Sequence, residues 1–302
     1  MKKNEISVII VTYNGKKWIS KCLTSLLNND LPVEIIVVDD GSIDGTQDLI
    51  KTQFPQVNFI QSSSNLGFGR ANNLGIKTSL EIGSEYIFLL NQDAYLFKCS
   101  LSKMINEINS NDKIGVLSPI HLAGNEEEID KGFSDYLTPS ITPNILAYKF
   151  LGKDQNLFET SFVNAAAWFV KASVFKDIGG FHPIFDHYGE DDEFATRLLK
   201  NNYKMVVSTQ NFIVHDRPQN KSLNNFFKDD QMLLRRYLLK YLKLEKDNDI
   251  WHSARKDYLN KIMKHLIAGD LKNSRKILKS YFVLKSKIKK MATEKDFGAH
   301  NL

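Results

Sequence analysis

Along the first two thirds of the chain, apolar residues come in short runs that stop abruptly at polar or glycine-rich positions. Ser7-Val8-Ile9-Ile10-Val11-Thr12 and Val33-Glu34-Ile35-Ile36-Val37-Val38 are too short for helices and too continuously apolar for half-exposed strands, so they predict strands buried on both faces. Val57-Asn58-Phe59-Ile60-Gln61 is a third. Tyr86-Ile87-Phe88-Leu89-Leu90 is the fourth, ending in Asn91-Gln92-Asp93. Between these runs the period lengthens to that of a helix: Trp18, Ile19, Cys22, Leu23, Leu26 and Leu27 share one face. Asp44 or Thr46 offers an N-cap to the next helix, and Asn65 to Asn73 leads into a third, running through Ile76. Strands alternating with helices predict an α/β fold, a mainly parallel central sheet flanked by helices. Ligands bind such sheets at the carboxyl edge, where Asp39-Asp40 and Asp93 fall.

Further on, the pattern predicts a helix over 101–108, a strand over 114–119, a strand over 162–170 and a helix over 171–178 stopped by Gly179-Gly180. Residues 121–159 carry no readable period. Glu190-Asp191-Asp192-Glu193 opens a helix to about residue 201, and Val206-Val207 and 212–215 read as edge strands. Beyond, Leu223, Phe226, Phe227, Leu234, Tyr237, Leu238, Tyr241 and Leu242 fall at helical spacing, as do Tyr258 to Ile267 and Ile277 to Phe282. They predict three amphipathic helices packed on the rest of the chain or on a partner.

Charge divides the chain where this pattern changes. Residues 1–218 hold 20 Lys and Arg against 26 Asp and Glu, net −6; residues 219–302 hold 20 against 9, net +11. The expected organisation is one domain over 1–218, divisible at about 98, followed by a basic helical region over 219–302. That basic region suits an anionic membrane surface or a solvated face; no aromatic-interleaved basic patch suggests nucleic acid. Cys22 and Cys99 are too few for a disulfide framework. The apolar stretch from Val8 to Val11 is too short for a signal peptide, and no run approaches the ~18 residues of a membrane span. The reading is cytoplasmic, with a peripheral position on the inner face of the cell membrane and a homo-oligomeric state both left open.

Gly67-Phe68-Gly69 lacks the third glycine of a dinucleotide fingerprint, Asn72 standing in its place, and it follows the third strand instead of the first. The acids suit another chemistry. Strand-end carboxylates can hold an oxygen-ligated Mg²⁺ or Mn²⁺ against a diphosphate. A second carboxylate can act as general base, an effect of ~10²–10⁴ in rate. Trp168 and Phe181 are candidates to stack on a sugar ring or to pack in the core.

Val11-Thr12-Tyr13-Asn14-Gly15, Val37-Val38-Asp39-Asp40-Gly41-Ser42, Asp44-Gly45-Thr46, Asn65-Leu66-Gly67-Phe68, Asn73-Leu74-Gly75-Ile76, Leu89-Leu90-Asn91-Gln92-Asp93, Gly179-Gly180-Phe181, Glu190-Asp191 with Arg197, and His215 occur in this order. Over about residues 6–216 the chain thereby resembles the family 2 inverting glycosyltransferases of GT-A fold, especially their bacterial rhamnosyltransferase-like branch. The resemblance implies a catalytic domain over 1–218 with a nucleotide-binding half to about 98 and an acceptor half after it, a nucleotide-sugar donor, dTDP-rhamnose or a UDP-hexose, and a glycan or lipid-linked acceptor. Thr12, Tyr13 and Asp40 would hold the nucleoside in a donor site with Asn14, Gly41, Ser42, Asn65, Gly67, Phe68, Asn73 and Asn91, and Arg70 would meet the diphosphate. Asn91-Gln92-Asp93 stands where the family has Asp-x-Asp, so Asp93 would bind Mg²⁺ or Mn²⁺ with His215 as a further ligand. Asp191 would be the base, with Asp192 and Glu193 as alternatives; Glu190 would position the acceptor and Arg197 orient the acids, with Trp168 and Asp192 on the acceptor side. A catalytically silent nucleotide-sugar binder and a membrane-surface adaptor are the competing readings, and a nucleotidyltransferase would need a basic, glycine-rich loop that Thr12-Tyr13-Asn14-Gly15 does not supply.

Overall fold

The computed structural model describes residues 5–186, 188–218, 229–243 and 249–293. Strands β1 (Ile6–Thr12), β2 (Val33–Asp39), β3 (Asn58–Gln61) and β4 (Tyr86–Leu90) lie in the order β3-β2-β1-β4, all parallel. Successive side chains point to opposite faces, and both faces are covered. Val8, Ile10, Val37, Phe88 and Leu90 share a core with Cys22, Leu23 and Leu26 of α1 (Ile19–Leu27). Ile9, Ile36, Val38, Ile87 and Leu89 share the other with Ala71 and Ile76 of α3 (Phe68–Ile82). Helix α2 (Thr46–Gln53) starts where Asp44 Oδ1 accepts the Thr46 N–H at 3.0 Å. The four parallel strands therefore deliver Thr12, Asp39-Asp40 and Asn91 to one edge.

The second half of the sheet is mixed, so the mainly parallel character holds for β1–β4 only. β4 runs antiparallel to β8 (Ala167–Lys171), which is antiparallel to β6 (Ile114–Ala123); β6 is parallel to β9 (Lys204–His215). β5 (Ala94–Phe97) and β7 (Leu157–Thr160) are antiparallel to β9 on its other side. Val206-Val207 and 212–215, expected as separate edge strands, are one twelve-residue strand inside the sheet. The cause is β5, which leaves Asp93 directly and covers that edge, pairing Ala94 with His215.

Residues 121–159 are structured, with α5 (Lys131–Ser134), a 3₁₀ turn (Asp135–Leu137), α6 (Ile145–Phe150) and β7, and they bury Phe133, Leu137, Ile145 and Phe158. Elements this short are set by tertiary packing and leave little periodicity to read. Residues 162–166 precede β8 as a loop. Helices α4 (Leu101–Asn109), α7 (Ala172–Ile178) and α8 (Glu190–Lys200) fall close to expectation.

Three C-terminal helices follow: α9 (Asp229–Lys243), α10 (Asp249–Ile267) and α11 (Leu271–Thr293). Leu233, Tyr237, Leu238, Ile250, Ala254, Tyr258, Ile277 and Leu284 form a core that takes in Ile184 and Phe185 from the loop before α8. The helices thus pack on the rest of the chain. Leu223, Phe226 and Phe227 of the first expected helix lie outside the described residues. Among the described residues no helix is long and apolar enough to cross a membrane.

Candidate active site

The site is built on a polar knot between the ends of β1 and β4. Gln92 Oε1 accepts from Thr12 Oγ1 at 2.6 Å and from the Tyr13 N–H at 3.1 Å, while its Nε2 donates to Tyr13 O at 3.2 Å. A Cβ at Gly15 would lie 2.0 Å from Gln92 Oε1 and 2.5 Å from Thr12 Oγ1, so any larger residue there would displace this knot. The Asn14 N–H donates to Ser42 Oγ and the Ile43 N–H to Asn14 Oδ1, both at 2.9 Å, which ties the β1–α1 loop to the β2–α2 loop beside Gly41. The Tyr13 side chain stands nearly half exposed over this cradle.

Asp40 is buried and occupied: Oδ1 accepts the Leu66 N–H at 2.6 Å and Oδ2 the Gly67 N–H at 3.0 Å. Its role in the structure is to hold the 65–67 loop. Asp39 Oδ2 accepts from the Ser42 N–H at 3.1 Å and from Gln47 Nε2 at 2.7 Å, while its Oδ1 is buried with no partner among the described residues. Of the two acids, Asp39 keeps the unused acceptor.

The residues after β3 also fasten one loop to another. Gly67 has φ +83° and stands where a Cβ would be 2.2 Å from Asp186 O. Arg70 donates to Leu66 O at 2.6 Å and Pro183 O at 3.3 Å, and reaches Asp186 Oδ1 at 3.5 Å. Asn73 exchanges two 2.8 Å hydrogen bonds with the Phe181 backbone, and Phe68 packs edge-on against the Phe181 ring. Arg70 and Asn73, expected as donor contacts, are thereby committed to the 181–186 loop; Asn65 is exposed beside them.

Asp93 Oδ1 lies 3.3 Å from His215 Nε2, brought there by the β5–β9 pairing. Burial alone would raise the Asp93 carboxyl, but the His215 ring and then Arg217 outweigh it and hold it below its ordinary range. Among the described residues no three His, Cys, Asp or Glu side chains form a ready-made metal cage. A carboxylate oxygen and an imidazole nitrogen at this spacing would be two ligands for one divalent cation, the rest of its shell having to come from outside these two side chains. Asn91 stands at the same turn, its N–H donating to Ala166 O at 2.9 Å.

Helix α8 supplies the other acids, beginning after Gly189, whose φ is +108°. Asp192 is paired with Arg235 of α9. Glu193 accepts a two-point contact from Arg197, at 2.9 and 2.7 Å, and Arg197 also donates to Ile178 O and, at 2.8 Å, to Gly180 O. Arg197 therefore serves Glu193 and the 178–180 turn, not the other acids. Asp191 has no ion pair among the described residues; burial, then the charge of Asp192, push it up to about 6 against the pull of Arg235. Glu190 is buried with Oε2 unpartnered, and burial, then the charge of Asp191, raise it to about 7.

Two tyrosines join the Asp93 side of the site to α8. The partly buried Tyr136 phenol, raised chiefly by desolvation, feels Asp191, Asp192, Arg217 and Arg235; Tyr188, also raised chiefly by burial, feels Glu190, Arg217 and Asp191. Arg217 itself is held by Asp130 at 2.9 and 2.6 Å. Outside α8, an open hollow of about 530 Å³ is lined by Phe162, Asp192, Thr196, Leu199 and Lys200.

Trp168, expected on the acceptor side, is fully buried, packed against Phe181 at 6.1 Å and Phe194 at 5.6 Å. No face of it is left for a sugar. Residues that sequence reasoning missed are Gln92, Arg217 and Arg235. Gln92 stood inside the recognised Asn91-Gln92-Asp93 motif and Arg217 two positions after His215; nothing local marked Arg235.

The α/β sheet gathers strand-end carboxylates and the Asp93–His215 pair at its carboxyl edge, and the partly neutralised acids at the start of α8 complete the set of candidate groups. Residues 7–179 match the Glycosyl transferase family 2 model, so the chain belongs to that family and is a glycosyltransferase. It is 27% identical over 217 residues to the low-salt glycan biosynthesis hexosyltransferase Agl10 of Haloferax volcanii, covering 71% of this chain and 68% of that one. To the N-acetylglucosaminyl-diphospho-decaprenol L-rhamnosyltransferase of Mycobacterium tuberculosis it is 23% identical over 231 residues, 70% of this chain and 75% of the other. Among solved structures, TarS of S. aureus superposes with a TM-score of 0.57 at 19% identity, over 86% of this chain and 43% of TarS. Its 1–349 fragment in complex with UDP gives 0.54 at 18%, over 92% and 91%; both show the shared fold.

Proposed function

We propose that this glycosyltransferase is metal-dependent and inverting, moving a sugar from a nucleoside-diphosphate donor, dTDP-rhamnose or a UDP-hexose, to a hydroxyl of a glycan or lipid-linked acceptor in surface polysaccharide synthesis. The carrying observation is the division of labour along α8: Arg235 takes Asp192, Arg197 takes Glu193, and Asp191 is left with its titration moved toward neutrality. A base so poised is deprotonated at neutral pH yet still basic enough to take a hydroxyl proton. The names of the relatives, a hexosyltransferase of glycan biosynthesis and a rhamnosyltransferase acting on a diphospho-decaprenol, support the substrate class.

In this reading residues 1–98 hold the donor through the Thr12–Gln92–Tyr13 knot and the Asn14–Ser42 bridge, with Asp39 and Tyr13 nearest the nucleoside. Asp93 and His215 would hold a Mg²⁺ or Mn²⁺ that neutralises charge on the departing diphosphate. Residues 99–218 present the acceptor, and Asp191 takes the proton of its hydroxyl as that oxygen bonds to the anomeric carbon. The bond from that carbon to the diphosphate breaks on the opposite face, which inverts the centre. Glu190, buried and with its Oε2 unpartnered among the described residues, orients the acceptor. A lipid-linked acceptor places the enzyme at the cytoplasmic face of a membrane.

The test is thermal stability of the purified chain with nucleoside diphosphates and nucleotide sugars, each with and without Mn²⁺, beside Asp93→Ala. A ligand at a hundredfold excess over its Kd stabilises by about 2.7 kcal/mol. A metal-dependent upward shift with one nucleotide, lost in Asp93→Ala, is the expected result. No shift with any nucleotide, from a variant and parent that both melt cooperatively, refutes the donor site.

A further inference from the structure

The C-terminal helices have two kinds of surface. One grips the rest of the chain: Arg235 reaches Asp192, and Lys287 donates to Ile184 O at 2.6 Å and meets Asp186 at 2.8 Å. The other is apolar and uncovered. Leu259, Met263, Leu266 and Ile267 recur at i, i+4, i+7 and i+8 on α10, and Leu271, Leu278 and Phe282 at i, i+7 and i+11 on α11, so each set forms one stripe. All seven are exposed, Ile267 to 83%, Phe282 to 60% and Leu271 to 59%. Ile267 and Leu271 flank the turn at Gly269, whose φ is +73° and beside which no atom lies within 4 Å of an added Cβ. The hairpin of α10 and α11 therefore ends in an apolar tip that projects away from the core.

Cations border the same stripes. Residues 249–293 contain twelve Lys and Arg against three Asp and Glu. Arg255 and Arg275 lie on the stripes themselves, one turn from Leu259, Leu271 and Leu278, and Lys256, Lys264, Lys272 and Lys279 beside them are exposed. Bulky apolar side chains ringed by cations match the two layers of an anionic lipid surface, acyl boundary beneath and phosphate above. They do not match a second copy of the same face, where the cations would meet cations.

We infer that the α10–α11 hairpin is a membrane-docking surface that inserts its apolar tip, Ile267 and Leu271 with Phe282 behind, into an anionic bilayer. It deepens the lipid-linked acceptor reading by naming the surface, but does not depend on catalysis. Because α9 is paired with the start of α8 and α11 with the loop before it, docking holds the acidic helix start in a fixed orientation relative to the bilayer.

The experiment is co-sedimentation of the full chain with vesicles of phosphatidylcholine alone or mixed with phosphatidylglycerol. Ile267→Asp/Phe282→Asp and Lys264→Glu/Lys272→Glu are run beside it, every protein first checked by thermal unfolding. The parent should pellet with the mixed vesicles, remain in solution with phosphatidylcholine alone, and be partly released by salt. Each double variant should bind at least tenfold more weakly while keeping the parent's melting temperature and nucleotide-induced shift. Absence of binding to mixed vesicles, or equal binding by both variants, overturns the proposal. So does a concentration-dependent dimer in sedimentation velocity that Ile267→Asp/Phe282→Asp dissolves, which would assign the face to a second copy. The nucleotide shift is read on the same proteins, so failure of docking and failure of the donor site are separate results.

Discussion

The Arg235 guanidinium of α9 donates to the Asp192 carboxylate of α8, joining a C-terminal helix to the acidic start of the helix that carries Asp191. Four consecutive acids in one turn repel one another, and the helix N-terminus relieves only part of that. Arg235 takes up the charge of Asp192, whose field is a principal influence on Asp191 after burial itself.

Arg235→Ala should leave Asp192 uncompensated, so that Asp191 keeps its proton to higher pH. The kcat/KM of the variant is expected to fall several-fold at acid pH and to return toward the parent as pH rises, with Arg235→Lys recovering part of the difference. A loss equal at every pH would show that Arg235 only supports the fold.

Asp191→Asn should lower kcat by about 10²–10⁴, the usual weight of a general base, while the nucleotide-induced thermal shift persists. In the parent, rate should climb with pH on a limb set by Asp191 at about 6 and Glu190 at about 7, titrating as an interacting pair. A pH–rate profile gives both. A limb unchanged by Asp191→Asn would move the base elsewhere.

Glu190 makes a stability prediction of defined sign. Burial and the charge of Asp191 raise its folded-state pKa from 4.5 to about 7, so the native chain holds a proton that the unfolded chain releases in that interval. Stability from this group is therefore full below the lower value and lost as pH rises through the upper one. Glu190→Gln should stabilise the protein by roughly 3 kcal/mol at pH well above 7 and by nothing in acid. Thermal melts of both proteins across pH test this; a variant less stable at alkaline pH contradicts it.

Gln92 closes the donor cradle with three hydrogen bonds. Gln92→Ala should cost about 1–3 kcal/mol of stability and, by freeing Thr12 and Tyr13, raise the donor KM more than it lowers kcat. Steady-state kinetics with donor varied at fixed acceptor decide it. Unchanged donor KM would mean that the cradle holds without the knot.

Most of the architecture was legible because its determinants are local. Continuous apolar runs such as Tyr86 to Leu90 can only be strands covered on both faces, and the polar residues ending them mark the carboxyl edge. The join between Val206-Val207 and 212–215 and the partner strand β5 were harder. Ala94 to Phe97 is short, and nothing in its own sequence says that it turns back over β9 and makes His215 an interior neighbour of Asp93.

By itself the sequence determined the parallel half of the sheet, the strand-end positions of Asp39, Asp40 and Asp93, the acidic start of α8 and the basic amphipathic character of the last helices. Tertiary structure alone decided which of those groups are engaged. It buried Trp168 between Phe181 and Phe194, committed Arg70 and Asn73 to the 181–186 loop, occupied Asp40 with backbone amides, and brought Arg235 to Asp192, leaving Asp191 without an ion pair among the described residues. The physical reason is range. Hydrophobic period and capping act over a few residues and can be read in order, whereas hydrogen bonding and charge compensation in a low-dielectric site depend on partners tens of residues away, whose arrival only the packed fold specifies.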